Sequence, residues 1–302
     1  MRIDLHAHST ASDGTDSPAE LVRIAAESGV DVLAITDHDT TSGWDEAAAA
    51  LPAGVQLVRG MEMSCEGRGE DGRPVPVHLL AYLFDPRAEE FAVERERLRG
   101  ERTARLRTMA TLMAADGLPI DPDELMAAAG PAVGRPHLAQ ALVRAGVVGS
   151  VGEAFGELLS HRSPYYVEKS DTPLGRAVEM VAGAGGVSVI AHARARTRGR
   201  LLALDQIREL AGVGLGGLEV DHPDHDAADA ELLGALASEL GLIATGSSDY
   251  HGGNKTIELG RYTTDPESFA ELATRASGVP VLAGPSDPAS SDLGSTVGSA
   301  GR

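Results

Sequence analysis

The segment MRIDLHAHSTASDG places His6, His8 and Asp13 within eight residues of one another. Imidazoles and carboxylates are costly to crowd together and bury unless a cation or several donors satisfy them. Positions i and i+2 of a strand share a face, so His6 and His8 are spaced for chelation. Similar residues recur further on: Asp37, His38 and Asp39 in ITDHD, Glu62 in GMEMS, His78 in VPVHLLAY and His192 in IAHA. His222 and His225 follow in VDHPDH, then Asp249 and His251 in SSDYHG. Singly, each has a plain explanation: an incidental H-x-H, a polar turn, a satisfied core histidine, a surface loop. Glu62 is the odd one, because a carboxylate inside an apolar run costs several kcal/mol without a partner. Together they form a donor set for divalent cations, and imidazole with carboxylate suits Zn, Mn and Fe alike.

Such residues converge only if the fold gathers them. Seven apolar stretches precede or contain them: MRIDLHAH, DVLAITDHD, VQLVRGMEMSCE, VPVHLLAYLF, VSVIAHA, LGGLEVDHP and LIATGSSDYHG. They are rich in Val, Leu and Ile on both faces, as parallel strands covered by helices are. Helical segments alternate with them. In SPAELVRIAAESG, Ser17 caps, Pro18 takes the first position, Glu20 completes a capping box and Gly29 stops the helix. An Ala-rich helix is expected around Trp44 to Leu51, and TPLGRAVEMVAGAGG reads as a helix with Thr172 as cap and Pro173 first. In a parallel α/β barrel all strand carboxyl ends lie on one face. His6 and His8 then end strand one, Asp37 to Asp39 strand two and Glu62 strand three. His78 lies within strand four. His192 ends the next strand, and His222, His225, Asp249 and His251 follow the last two.

From about Phe91 the texture changes. FAVERERLRGERTARLRTMATLMAADG, DPDELMAAAG, GRPHLAQALVRAG and VGEAFGELLSHRS read as helices. The chain divides into a first barrel part (1–90), a helical insertion (91–172), a second barrel part (173–285) and a disordered tail rich in Gly, Ser, Pro and Asp (286–302). The charge-rich first helix of the insertion reads as a solvated face. The 302 residues are 42% apolar but only 3% aromatic, so the core rests on aliphatic side chains. A net charge of -19 argues against non-specific binding to nucleic acid or anionic membrane, yet leaves room for a small anionic substrate at a locally positive cleft. The sequence has no signal-peptide pattern and no apolar run of about 20 residues, so the expectation is a cytoplasmic protein with no membrane partner. Cys65, the single cysteine, excludes an intrachain disulfide and reads as a small buried hydrophobe. No G-x-S-x-G elbow, Walker A loop or D-x-D-x-T signature is present, so rival nucleophile chemistries lack their parts.

In order and combination, H-x-H, the Asp-Gly that follows, ITDHD, GMEMS, the strand histidine, IAHA and SSDYHG resemble the PHP (polymerase and histidinol phosphatase) family, over residues 1–85 and 175–255. The insertion with GRPHLA is similar to the branch holding nucleoside 3',5'-bisphosphate phosphatases and 5'-3' exoribonucleases. The resemblance implies an α/β fold, a distorted (β/α)7 barrel with a small inserted helical domain, and two to three divalent ions (Mn, Zn or Fe). His6, His8, Glu62 and Asp249 would hold one ion. Glu62 would bridge to a second with His78 and His192, and Asp13, His38 and His251 would hold a third. Ala193 and Asp221 depart from the family's common residues, both in substrate loops. The implied activity is hydrolysis of a phosphomonoester by metal-activated hydroxide, most readily of a nucleoside 3',5'-bisphosphate. Histidinol phosphate and the 5' end of short RNA are the alternative substrates, and a non-catalytic structural PHP domain is a third reading that predicts missing ligands, of which there are none. Three ions carry about +6 against about -3 from Asp13, Glu62 and Asp249, so phosphate is drawn to the site despite the net charge. The ions would bind phosphoryl oxygens, lower the pKa of a water and stabilise the leaving oxygen. Glu62 and Asp249 are the central catalytic candidates. His222 and His225 are candidates to orient the substrate or protonate the leaving alcohol. Arg135 and His137 in GRPH are candidates for a second phosphate clamp, in a loop entering a helix at His137. Arg194, first of a run of alternating arginines, is a further phosphate candidate. Duplex nucleic acid is not an expected partner.

Overall fold

A computed structural model of the chain describes residues 1–129 and 133–285. The tail expected to be disordered, 286–302, lies outside the described residues. Among the described residues nine strands are present: β1 (Ile3–Asp4), β2 (Val32–Ile35), β3 (Gln56–Arg68), β4 (Pro74–Tyr82), β5 (Thr172–Pro173), β6 (Val187–Ile190), β7 (Gly217–Asp221), β8 (Ile243–Gly246) and β9 (Leu282–Ala283). The helices are α1 (Pro18–Glu27), α2 (Trp44–Ala49), α3 (Glu89–Ala115), α4 (Pro122–Ala129), α5 (Arg135–Arg144), α6 (Val151–Glu157), α7 (Leu174–Gly183), α8 (Leu204–Ala211), α9 (Ala227–Leu240) and α10 (Pro266–Arg275).

Seven strands form the barrel wall in the order β1-β2-β3-β4-β6-β7-β8, with β5 and β9 paired to β3. The two ends of this sheet approach through a parallel bridge between Ala7 and Tyr250, which nearly closes it. Asp4 ties the closure: its buried carboxylate accepts N–H bonds from Ser248 (3.0 Å), Gly260 (2.7 Å) and His6 (3.3 Å). The strands alternate between two apolar layers. Val32 and Ala34 of β2 join Ile3, Leu5, Val58, Leu80 and Val189 in one, closed by Phe269 and Leu272 of α10. Leu33 and Ile35 join the larger layer under the covering helices. The apolar character of both strand faces therefore has the cause that the sequence suggested.

The expectation of uniformly parallel strands needs correction. β3 and β4 are antiparallel, and so are β4 and β6. Only five residues, 69–73, separate β3 from β4, too few for a crossover helix, and so they turn as a hairpin. Glu62 therefore does not end its strand. β3 pairs with β2 only from Gln56 to Arg59 and continues past the rim against β4. Glu62 stands just beyond the end of β2, which still places it at the mouth.

The capping box at Ser17 and Glu20 is present, with both reciprocal bonds. The expected cap at Thr172 is not: α7 begins at Leu174 after Pro173, and Thr172 and Pro173 pair instead with Cys65 and Glu66 of β3. Cys65 is fully buried, and burial pushes its thiol pKa well up.

Helices α3–α6 lie between β4 and β5, and among the described residues they carry no strand. They enclose a core of their own, including Leu106, Met109, Met113, Leu125, Leu138 and Leu142. α3 links the two regions, because Phe91 and Leu98 pack in the large barrel layer. The solvated face expected of α3 also needs correction at Arg102, which turns inward to Asp39 and Ser64.

At β7 the wall admits no side chain on Gly217. A Cβ there would stand 2.5 Å from the Ile243 carbonyl oxygen and 3.1 Å from Val189 Cγ2. Gly217→Ala is expected to cost about 1–3 kcal/mol of stability through overpacking, measured by urea unfolding; an unchanged midpoint would refute the packing account.

Candidate metal centre

Short strands deliver their polar residues immediately past their last apolar position. His6 and His8 follow β1, and their Nε2 atoms lie 3.1 Å apart. Asp37 and Asp39 flank His38 and face away from it. Asp37 accepts from the Ser9 N–H (2.9 Å), the Ser9 hydroxyl (2.7 Å) and the Ser12 hydroxyl (2.6 Å), so it braces the loop that carries His8. Asp39 accepts from the Ser64 N–H (2.7 Å) and hydroxyl (2.8 Å) and from Arg102. Three non-glycine residues at this rim have left-handed backbones: Asp39 (φ 53°), His192 (φ 30°) and Asp249 (φ 51°). Such conformations cost about 1–3 kcal/mol each and cluster where surrounding structure must aim a side chain.

Glu62 is the centre of the arrangement. Oε1 lies 2.6 Å from His78 Nδ1 and 3.1 Å from His192 Nε2. Oε2 lies 3.1 Å from His8 Nε2, 3.1 Å from His38 Nδ1 and 3.3 Å from His6 Nε2. His38 Nε2 reaches Asp13 Oδ2 at 3.5 Å, and His251 Nε2 reaches Asp13 Oδ1 at 3.4 Å. Asp249 Oδ1 is 3.5 Å from His6 Nε2. All nine positions named as candidate ligands thus come together, from both parts of the barrel.

Four groups of donor atoms lie within 4.8 Å of one another: His8, Asp13, His38 and His251; His6, His222 and Asp249; His6, His8 and Glu62; and His38, Glu62 and His78. The buried Nδ1 atoms of His38 and His78 have no well-angled hydrogen-bond partner, although Glu62 is close to both. Ligands about 2.0–2.2 Å from one ion, at right angles, stand about 3 Å apart with lone pairs aimed between them, not at each other. The donor set fits divalent cations.

The other candidates are placed differently. His222 is buried; its Nδ1 accepts the Asp224 N–H (3.0 Å), which puts its proton on Nε2, 3.3 Å from Asp249 Oδ2. His225 is occupied at both nitrogens: Nδ1 donates to the Val220 carbonyl (2.8 Å) and Nε2 accepts from the Arg194 N–H (3.2 Å). Arg194 is committed to carboxylates, Glu70 Oε1 at 2.5 Å and Asp229 Oδ1 at 3.5 Å. Arg135 is the first residue of α5, so the helix begins before His137 and not at it. Its guanidinium donates to the Leu159 carbonyl (3.1 Å) and lies over the Phe155 ring. His137 accepts the Gly134 N–H on Nδ1 (3.2 Å).

A family model described as PHP domain matches residues 4–119. A 5'-3' exoribonuclease of Haemophilus influenzae is 33% identical over 86% of this chain and 93% of its own length. A 3',5'-nucleoside bisphosphate phosphatase of Chromobacterium violaceum is 34% identical over 82% of this chain and 87% of its own. The chain belongs to the PHP domain family. A solved structure from Bifidobacterium adolescentis, assigned as a metal-dependent phosphoesterase, superposes with a TM-score of 0.84 at 36% identity, covering 91% of this chain and 96% of that one. The PHP chain is accordingly a metal-dependent phosphoesterase with a mixed α/β barrel, and its buried clusters supply the donors. Among the described residues, no helix is long and apolar enough to cross a membrane.

The charges of the PHP centre hold one another. Burial opposes ionisation of Glu62, but His78, His38 and His6 keep its carboxyl well below the usual range. Asp249 is similarly lowered against burial by Lys255, whose Nζ is 2.5 Å from Oδ2, and by His6 and His251. Burial disfavours the His8 cation, yet Asp13 and Glu62 lift its pKa to about 9.

Three elements escaped the sequence reading. Glu219 is fully buried in β7 beside His6. It bore the same signal as Glu62, a carboxylate in an apolar strand. Arg102 was camouflaged in a charged run. Lys255 had no signal at all.

Dialysis against chelator is expected to lower the melting temperature, and Mn2+ at about 100 times its Kd is expected to restore about 2.7 kcal/mol. A melting temperature indifferent to both would sink the metal centre.

Proposed function

We propose that this phosphoesterase hydrolyses a phosphomonoester of a small nucleotide bearing two phosphates, a nucleoside 3',5'-bisphosphate, within the cytoplasm. The observation that carries this reading is a second cationic locus on the insertion. Burial first, and then the charges of Arg105 and Arg102, lower the Arg135 pKa to about 10. Lys169, whose Nζ lies 2.5 Å from Asp171 Oδ1, is also lowered, first by burial and then by Arg102. Buried cations that repel one another are a place for an anion, and guanidinium forks suit phosphate. With the reacting phosphate at the metal centre, a non-reacting phosphate would meet Arg135 with His137 beside it. The same donors suit the 5' end of short RNA, the second reading, which is supported by the 33% identity to the Haemophilus influenzae exoribonuclease.

We assign three divalent cations, of Mn, Zn or Fe. His6, His8, Glu62 and Asp249 would hold the first; Glu62, His78 and His192 the second; Asp13, His38 and His251 the third. When bound, such ions would neutralise phosphoryl oxygens and acidify water. Glu62 belongs to both of the first two groups. His222 holds a proton on Nε2 at the edge of the centre, where a leaving alcohol needs one. We assign His225 and Arg194 to bracing the loop after β7, because their polar atoms are already engaged. The insertion, residues 91–172, acts as the substrate-reading part of the chain.

A phosphate-release panel of 3'-phosphoadenosine 5'-phosphate, AMP, histidinol phosphate and a 5'-phosphorylated oligoribonucleotide tests the substrate. Arg135→Ala is expected to raise KM for the bisphosphate by about 10–100-fold, the worth of a charge-assisted hydrogen bond, and to leave AMP little changed. Equal effects on both substrates would remove the clamp. Glu62→Ala is expected to lose bound metal and turnover together, as read by elemental analysis and phosphate release; full metal content in that variant would disprove the bridge.

A further inference from the structure

We propose that Glu219 is a positioning residue that aims His6 and His192, from two separate strand ends, at the cations they are assigned to hold. The proposal rests on the reading of those two histidines as ligands.

Glu219 is fully buried on β7, between β6 and β8. Its oxygens are divided among three strand ends. Oε1 accepts from His6 Nδ1 at 3.0 Å, beyond β1, and from the Ser247 hydroxyl, beyond β8. Oε2 accepts the backbone N–H of His192 at 2.7 Å, beyond β6. Both oxygens are thus taken up by His6 Nδ1, the Ser247 hydroxyl and the His192 N–H, which places Glu219 behind the ring nitrogens that face Glu62.

Each contact has a directional consequence. An ionised carboxylate has no proton to donate, so the nitrogen facing it, His6 Nδ1, must carry one. The lone pair then sits on Nε2, the atom facing His8, Glu62 and Asp249. This is how an outer carboxylate selects the tautomer and ring orientation of a metal-ligating histidine. His192 is held in a second way. Its backbone is left-handed at φ 30°, a conformation that a non-glycine residue keeps only when its surroundings impose it. The 2.7 Å bond to Oε2 is one such constraint, and it keeps Nε2 at 3.1 Å from Glu62 Oε1. Ser247, donating to Oε1, prevents the carboxylate from rotating away from both. An aspartate here is one methylene shorter and would not span the same partners. A glutamine would present its NH2 either to the His192 N–H or to His6 Nδ1, losing one bond or reversing the His6 tautomer.

The test uses the full chain, stripped with chelator and titrated with Mn2+ by calorimetry, with elemental analysis at saturation. Glu219→Gln is expected to bind Mn2+ about 10–100-fold more weakly than wild type, the usual effect of losing an outer partner. The metal-free melting temperature should stay within a few degrees. Glu219→Asp keeps the charge and should be equally weak. Affinity within about twofold of wild type in folded Glu219→Gln, or full recovery in Glu219→Asp, would overturn the proposal. His6→Ala runs in parallel: wild-type affinity there defeats the ligand assignment itself, whereas weakened His6→Ala beside unaffected Glu219→Gln defeats only the role of Glu219. Should the Glu219 variants fail to fold, nitrogen-15 histidine spectra of the zinc-loaded wild type decide. A His6 Nδ1–H signal with Nε2 on the metal supports the proposal, and Nδ1 on the metal refutes it.

Discussion

A buried carboxylate that five imidazole nitrogens approach within 3.3 Å governs this molecule. Glu62 cannot be removed from water alone, since an isolated ion in a low-dielectric interior is severely penalised. Its neighbours do not all satisfy it by hydrogen bonds either, because His38 Nδ1 and His78 Nδ1 lie close to it without a well-angled bond. The arrangement is stable only around positive charge shared among the donors. The rest of the barrel mouth can be understood as the means of keeping those donors from relaxing apart.

Two kinds of restraint serve that end. Some are strained backbones: Asp39, His192 and Asp249 adopt left-handed conformations at the points where strands become loops. Others are outer hydrogen bonds. Asp37 holds the loop bearing His8, Asp39 ties the residue after His38 to Ser64, and Asp4 ties His6 to the chain before and after Asp249. The ends of β1, β2, β3 and β8 are thereby fastened to one another. The helical insertion is fastened as well, through Arg102 on Asp39 and through Gln140, which donates to Asn254 at 2.9 Å while Asn254 donates to the Asp13 carbonyl at 2.8 Å. The insertion is thus joined to the rim of the centre at two separate points.

The residue types of the centre were legible in the sequence because apolar strands ending in His or carboxylate are rare by chance and recur here strand after strand. The capping box of α1 was legible because its partners are three residues apart. What failed to read were features whose partners lie far along the chain. The hairpin of β3 and β4 hid behind strands that look equally apolar whichever way they run. Thr172 looks like a helix cap until β3 takes it as a pairing partner. Arg102 read as part of a solvated face and Arg194 as a phosphate candidate, yet both turn onto carboxylates contributed by other segments.

The sequence by itself determined the fold class and the donor set, since strand length, apolar layering and the chemistry of His, Asp and Glu are properties of local composition. Tertiary structure alone decided which nitrogen of each histidine faces Glu62 or Asp13, which carboxylates join the donor groups and which stand behind them, and which arginines are paired with carboxylates. Those choices depend on the angle and distance between atoms hundreds of residues apart in the chain, such as His6 and Glu219, and only the closed barrel brings such atoms within 3.0 Å of one another.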